Sequence, residues 1–237
     1  MIPHYLAAFQ RIPFAPNFFL FTFPCIPLDH AQVVGIFSQE AKRDGYLVSL
    51  VPPESYLDVT TSGFDRWLNH SYPEWHHDFV YHGRNIYALW LAKYGRTERS
   101  LASIAAYQTT SFVISANDSA QQEIVPTFDF VSLQWYESWT HAGYYIDSQG
   151  VPAASYLSWV VQAMERGWMV DFSSDPALNF TSREVSVPAW QLVVGLSRGS
   201  SQDPAQAGRS LFVWPRDVKA AFDMMPADAR PRGVMYW

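Results

Sequence analysis

Acids, amides and aromatic rings gather where apolar runs of this chain stop. The run Tyr46–Val51 meets Pro52-Pro53-Glu54-Ser55-Tyr56, and the run Phe128–Leu133 ends at Gln134-Trp135-Tyr136-Glu137. Glu54 and Glu137 could pair as general acid and base across adjacent strand ends, although carboxylates bordering loops are ordinarily solvated. Ser197-Arg198 follows a third apolar run, and Trp237 finishes a fourth. Hydrogen-bonding groups beside flat rings fit a polar ligand with flat faces, such as a sugar ring. The cluster Glu74-Trp75-His76-His77-Asp78, with His82 nearby, has metal-ligand residue types but no recognised ligand spacing, so no metal is assigned to it.

These groups need elements to hold them. Asp29 can cap a helix over about Ala31 to Arg43, with Val33, Val34, Phe37 and Ala41 on one face and Gly45 just past its end. Tyr46–Val51 reads as a buried strand that Pro52-Pro53 terminates. Arg84 to Lys93 reads as a helix, and Thr127 to Tyr136 contains a strand. A helix over Ala153 to Arg166 ends at Gly167, with Tyr156, Trp159, Val160 and Met164 as its core-facing stripe. Gln191–Leu196 is a third strand, Val218 to Met225 a helix, and Gly233–Trp237 a last strand. Strands alternating with helices predict an α/β fold with a parallel sheet, and such sheets bind ligands at the carboxyl ends of their strands. The stretches Pro52–Tyr81, Thr97–Ile124, Ser173–Pro188 and Arg198–Ser210 read as long loops, of a length that is uncommon unless the loops build a site or are partly disordered.

Composition removes several classes. Of 237 residues, 49% are hydrophobic and 16% charged, which argues against a disordered chain. Sixteen basic against 22 acidic residues give a net charge of −6, so nucleic acid is not an expected partner. The single cysteine, Cys25, excludes an intrachain disulfide framework and a cysteine-built zinc site. The apolar stretch Ile12–Leu28 is broken by Pro13, Pro16, Pro24 and Pro27, and each proline inside a helix costs ~3 kcal/mol, so no membrane span is expected. Only Arg11 offers a positive charge there and no small-x-small cleavage pattern follows, which makes a poor signal peptide. The sequons at Asn69, Asn117 and Asn179 fit a secreted glycoprotein but also arise easily by chance, which leaves the compartment open.

Phe128-Asp-Phe-Val-Ser-Leu-Gln-Trp-Tyr-Glu137 resembles the sixth strand of glycoside hydrolase family 18, the chitinases and related endo-N-acetylglucosaminidases. Gly233-Val-Met-Tyr-Trp237 is similar to that family's eighth strand, Gln191–Leu196 to its seventh, and Tyr46–Pro53 to its fifth. The resemblance runs over 29–237 and leaves 1–28 as a separate aromatic, proline-rich segment. It implies the carboxyl-terminal half of a (β/α)8 TIM barrel, approximately strands five to eight with long loops. It also implies chitin or chito-oligosaccharide as partner, hydrolysis assisted by the substrate's own acetamide, no cofactor and an extracellular setting. Carried over by position, Tyr136 would donate to the acetamide carbonyl, Trp237 would floor the sugar subsite and Gln134 would bind sugar. Glu137 stands where the family has Asp or Asn, and Glu54 is a further candidate contact.

The family's Asp-x-x-Asp-x-Asp-x-Glu motif, which holds the proton donor, is absent, and Asp29 is the acid nearest its place. Strands one to four would need on the order of 120 residues at ~30 per step, whereas 28 precede Asp29. The chain is therefore expected to be an inactive part of such an enzyme, or a non-catalytic carbohydrate-binding or vestigial protein. Open sheet edges predict poor solubility or self-association.

Overall fold

The computed structural model describes residues 28–67, 83–100, 122–136, 140–196 and 213–236. Helix α1, Leu28–Arg43, starts earlier than predicted and ends as expected: Gly45, at φ 90°, lets Tyr46 N–H reach Ala41 O at 3.0 Å and Gly45 N–H reach Lys42 O at 3.1 Å. Its buried face differs from the one expected. Ala31, Gly35, Ser38 and Ala41 are buried, whereas Val33 and Phe37 are exposed. The bulk comes from the partner helix α2, Ile86–Tyr94: a β-carbon on Gly35 would lie 2.3 Å from the Tyr94 ring, and Trp90 Nε1 donates to Ala31 O at 2.8 Å. Small residues on one helix let large rings from the other approach closely.

Strand β1 is only Ser49–Leu50, shorter than predicted. Its two prolines do not end the pairing. Pro53 bridges Gln134 in parallel, and Gln134 N–H donates to Pro52 O at 2.8 Å, because a proline on an outer strand still accepts. After α2 the chain makes a hairpin, β2 (Arg96–Ser100) with β3 (Gln122–Pro126), where a loop was predicted. Strand β4, Phe130–Trp135, follows at once, and helix α3 covers Ala153–Arg166 as predicted. A second unforeseen hairpin, β5 (Trp168–Val170) with β6 (Arg183–Val185), precedes β7, Leu192–Leu196. Helix α4, Pro215–Met224, then leads to β8, Gly233–Tyr236.

Strands β1, β4, β7 and β8 form one parallel sheet in that order, and both hairpins return to the amino-terminal starts of its inner strands. The fold is thus mixed α/β with a four-stranded parallel sheet among the described residues. Val131, Leu133 and Trp135 of β4 and Leu192, Val194 and Leu196 of β7 are buried, as are Ser132 and Gln134 on the opposite face of β4. Both faces being covered is what near-continuous apolar runs require. Helix α3 buries Tyr156, Val160 and Met164, but Trp159, placed in the same stripe by sequence, is exposed. No described helix is long and apolar enough to cross a membrane.

Candidate functional site

The carboxyl ends of β1 and β4 lie side by side, and they bring Glu54, Gln134 and Tyr136 to one edge of the sheet. Glu54 begins a 3-10 turn, Glu54–Tyr56, immediately after the Pro53 bridge. The expectation that this carboxylate is solvated is overturned: Glu54 is 4% exposed. One oxygen accepts from the Thr140 hydroxyl and, at 3.2 Å, from His141 N–H, and the other accepts from the Tyr156 hydroxyl. Its two oxygens are therefore engaged by groups that follow β4 and by helix α3.

A second acid stands close by. Asp58 is buried, accepts from Thr60 N–H at 2.9 Å and from the Thr60 hydroxyl at 2.6 Å, and lies 4.0 Å from His141 Nε2. Asn85 holds the loop that carries it. Its side chain accepts from Asp58 N–H at 2.8 Å and donates to Thr61 O and Gly63 O at 3.1 and 2.9 Å. Asn85 itself has φ 54°, a left-handed conformation that asparagine tolerates better than most residues and that turns the chain into α2.

Burial sets the charge states. Removal from water pushes the Glu54 carboxyl up to about 7, and nearby Asp58 adds to the rise against the lowering effect of the hydroxyl donors. Burial, with positive Arg84 nearby, pulls the His141 imidazole down to about 3, so it is neutral. Tyr156 is raised well above its ordinary value by burial and by Glu54. Protonation of Glu54 leaves Asp58 balanced by Arg84, a cheaper state than two buried anions. Hydroxyls can donate or accept, so Thr140 and Tyr156 can serve either form of Glu54. What this arrangement can do is hold and release one proton near neutral pH.

The remaining candidates divide. Gln134 is buried, and its Nε2 donates to Val51 O at 2.9 Å, tying β4 to β1. Tyr136 is buried just beyond β4. Glu137, Trp237, Ser197-Arg198 and the Glu74–His82 cluster lie outside the described residues, as do the sequons at Asn69 and Asn117. Asn179 is exposed, in a left-handed turn. A cleft of about 410 Å³ lies at the other end of the sheet, where Phe128 and Gln191 precede β4 and β7 and Trp190 and Arg96 join its wall. It is not lined by the candidates. Among the described residues no three His, Cys, Asp or Glu side chains converge to hold a metal.

Sequence reasoning missed Asp58, Thr140, His141 and Tyr156 as a group. Tyr156 was hidden in an apolar helical stripe, and Glu54 meets Thr140 and Tyr156 across 86 and 102 residues of chain. No local spacing could have reported them. Compared with models of known families, with curated proteins and with solved structures, the chain matches none.

Proposed function

We propose that this chain carries part of a chitinase-like (β/α)8 barrel and binds N-acetylglucosamine polymers at the carboxyl edge of its parallel sheet without hydrolysing them. The observation that supports this most is the strand order. The four segments that resemble consecutive strands of family 18 pair in chain order, all parallel, with Gln134 and Tyr136 at the carboxyl end of β4, the end at which parallel α/β sheets bind ligands in general. Binding would use the Tyr136 hydroxyl on the acetamide and the Trp237 indole under the ring. Hydrolysis is not expected, because the motif that supplies the proton donor is absent from the sequence and general acid catalysis contributes ~10²–10⁴-fold.

Titration of the chain with chitohexaose tests the reading. Tryptophan fluorescence should quench, cellohexaose should quench far less for want of acetamide groups, and Trp237→Ala should remove the change. No response to chitohexaose, or an equal response to both sugars, ends the proposal.

A second reading, weak hydrolysis with Glu54 as acid, draws on its raised pKa. It requires Thr140 and Tyr156 to give up the carboxyl. Chitohexaose cleavage that is lost in Glu54→Gln would favour it.

A further inference from the structure

We infer that two copies of this chain join head to tail, β8 of each beside β1 of the other, and close an eight-stranded parallel ring. The sheet ends on both sides in a parallel strand whose outer edge pairs with no described residue. An unpaired edge presents a row of backbone donors and acceptors that seeks a further strand. Eight parallel strands close into a barrel and abolish both edges, and two four-stranded sheets supply that number. A two-fold axis running along the strands keeps all of them parallel and makes the two seams identical, so association stops at two.

The chemistry of the two edges is complementary. Asp44 leads into β1 and is exposed, while exposed Arg230 leads into β8 with its Nε donating to Met225 O at 3.3 Å; Arg232 turns inward, its guanidinium over the Phe130 ring of β4. Parallel pairing of β8 with β1 sets these amino-terminal ends side by side, so Asp44 of one copy would meet the Arg230 guanidinium of the other in each seam. Apolar surface flanks the β1 edge. Leu47 is 71% exposed, and α1 turns Val33 and Phe37, 63% and 55% exposed, away from α2. On the other side Tyr236 at the end of β8 is 47% exposed. In the ring α1 would lie over the joint, and its uncovered apolar face would rest against the partner copy.

The inference adds a partner to the proposed sugar site, since both carboxyl edges would then open on one mouth. It rests on that reading only through the barrel it assumes. The test uses the whole chain with Cys25→Ser, so that no other thiol is present. Sedimentation should show a dimer that does not grow with concentration. Ser49→Cys with Gly233→Cys places one thiol on each edge, and a β-carbon at Gly233 meets nothing within 4 Å. Oxidation with copper phenanthroline should give a covalent dimer from the double variant and none from either single variant. If that register is shifted by two residues, Met235→Cys in place of Gly233→Cys should give it.

A monomer, a ladder of larger species, or cross-linking by Ser49→Cys alone would overturn the inference. The last result would mean that β1 pairs with its own copy. A monomer that still quenches with chitohexaose would remove the ring and leave the sugar site standing, whereas a dimer blind to the sugar would do the reverse.

Discussion

The two ends of the parallel sheet each hold an acid, half-buried at one and fully buried at the other, and they stabilise it by opposite means. At the amino-terminal end Asp129 meets Lys42 at 2.6 Å and accepts from Val48 N–H at 2.8 Å, and its side chain keeps 21% exposure. At the carboxyl-terminal end Glu54 and Asp58 share one buried site with Arg84, an imidazole and three hydroxyl groups, and Glu54 is driven towards its neutral form. One end is a solved ion pair that locks α1 to the start of β4. The other holds more acid than base and settles the difference with a proton. Fixed charge pairs make good fasteners, whereas a surplus buried acid is the kind of group functional sites keep.

Asn85→Ala should cost the carboxyl end the most stability. The change removes three hydrogen bonds from a buried side chain and puts alanine at φ 54°. A loss of about 3–4 kcal/mol in urea unfolding is expected. If the loss stays below about 1 kcal/mol, the carboxyl-end loop is not held as described.

Next is the pH dependence. Glu54 rises from 4.5 to about 7 on folding, so its contribution to stability is present below pH 4.5 and is lost as pH climbs through 7. His141 falls from 6.5 to about 3, so its contribution is present above pH 6.5 and is lost as pH drops through 3. Over pH 4.5–6.5 the two slopes oppose, and the parent chain should show a plateau. Glu54→Gln should make stability rise with pH across that window by about 3 kcal/mol, and His141→Asn should make it fall by a similar amount. Asp171, Asp175 and Asp223 are held below their ordinary 3.8, so they titrate outside the window. Parallel slopes in the two variants would show that the carboxyl end carries no such opposed pair.

What the sequence disclosed of these regions follows from where each signal lies. Helix α3 was legible to the residue, because Tyr156, Val160 and Met164 repeat at helical spacing and Gly167 ends the run. Strands β4, β7 and β8 were legible as apolar runs. The buried face of α1 was not, since the reading assigned Val33 and Phe37 inward while the bulk facing Gly35 belongs to Tyr94, 59 residues on. The hairpins were missed because Arg96–Ser100 is wholly polar and β5 and β6 are three residues each, too short for alternation to register. Glu54 was found as a candidate from its position after a strand. Its partners were not, because tertiary contact alone brings them together.

The amino-terminal end should respond least, and its response decides whether the two acids differ in kind or only in depth of burial. Lys42→Met keeps the aliphatic stem that α1 buries and deletes the ammonium from Asp129. Asp129 would retain Val48 N–H and some water, so the loss should be about 1 kcal/mol and should shrink further when the comparison is made in high salt. At the carboxyl end the corresponding deletion, Arg84→Met, strands buried Asp58 beside Glu54 with much less access to water. Its loss should be severalfold larger and nearly indifferent to salt. Equal losses with equal salt sensitivity would mean that both ends are ordinary surface pairs, and the carboxyl edge would then have no electrostatic claim to be the working end of the sheet.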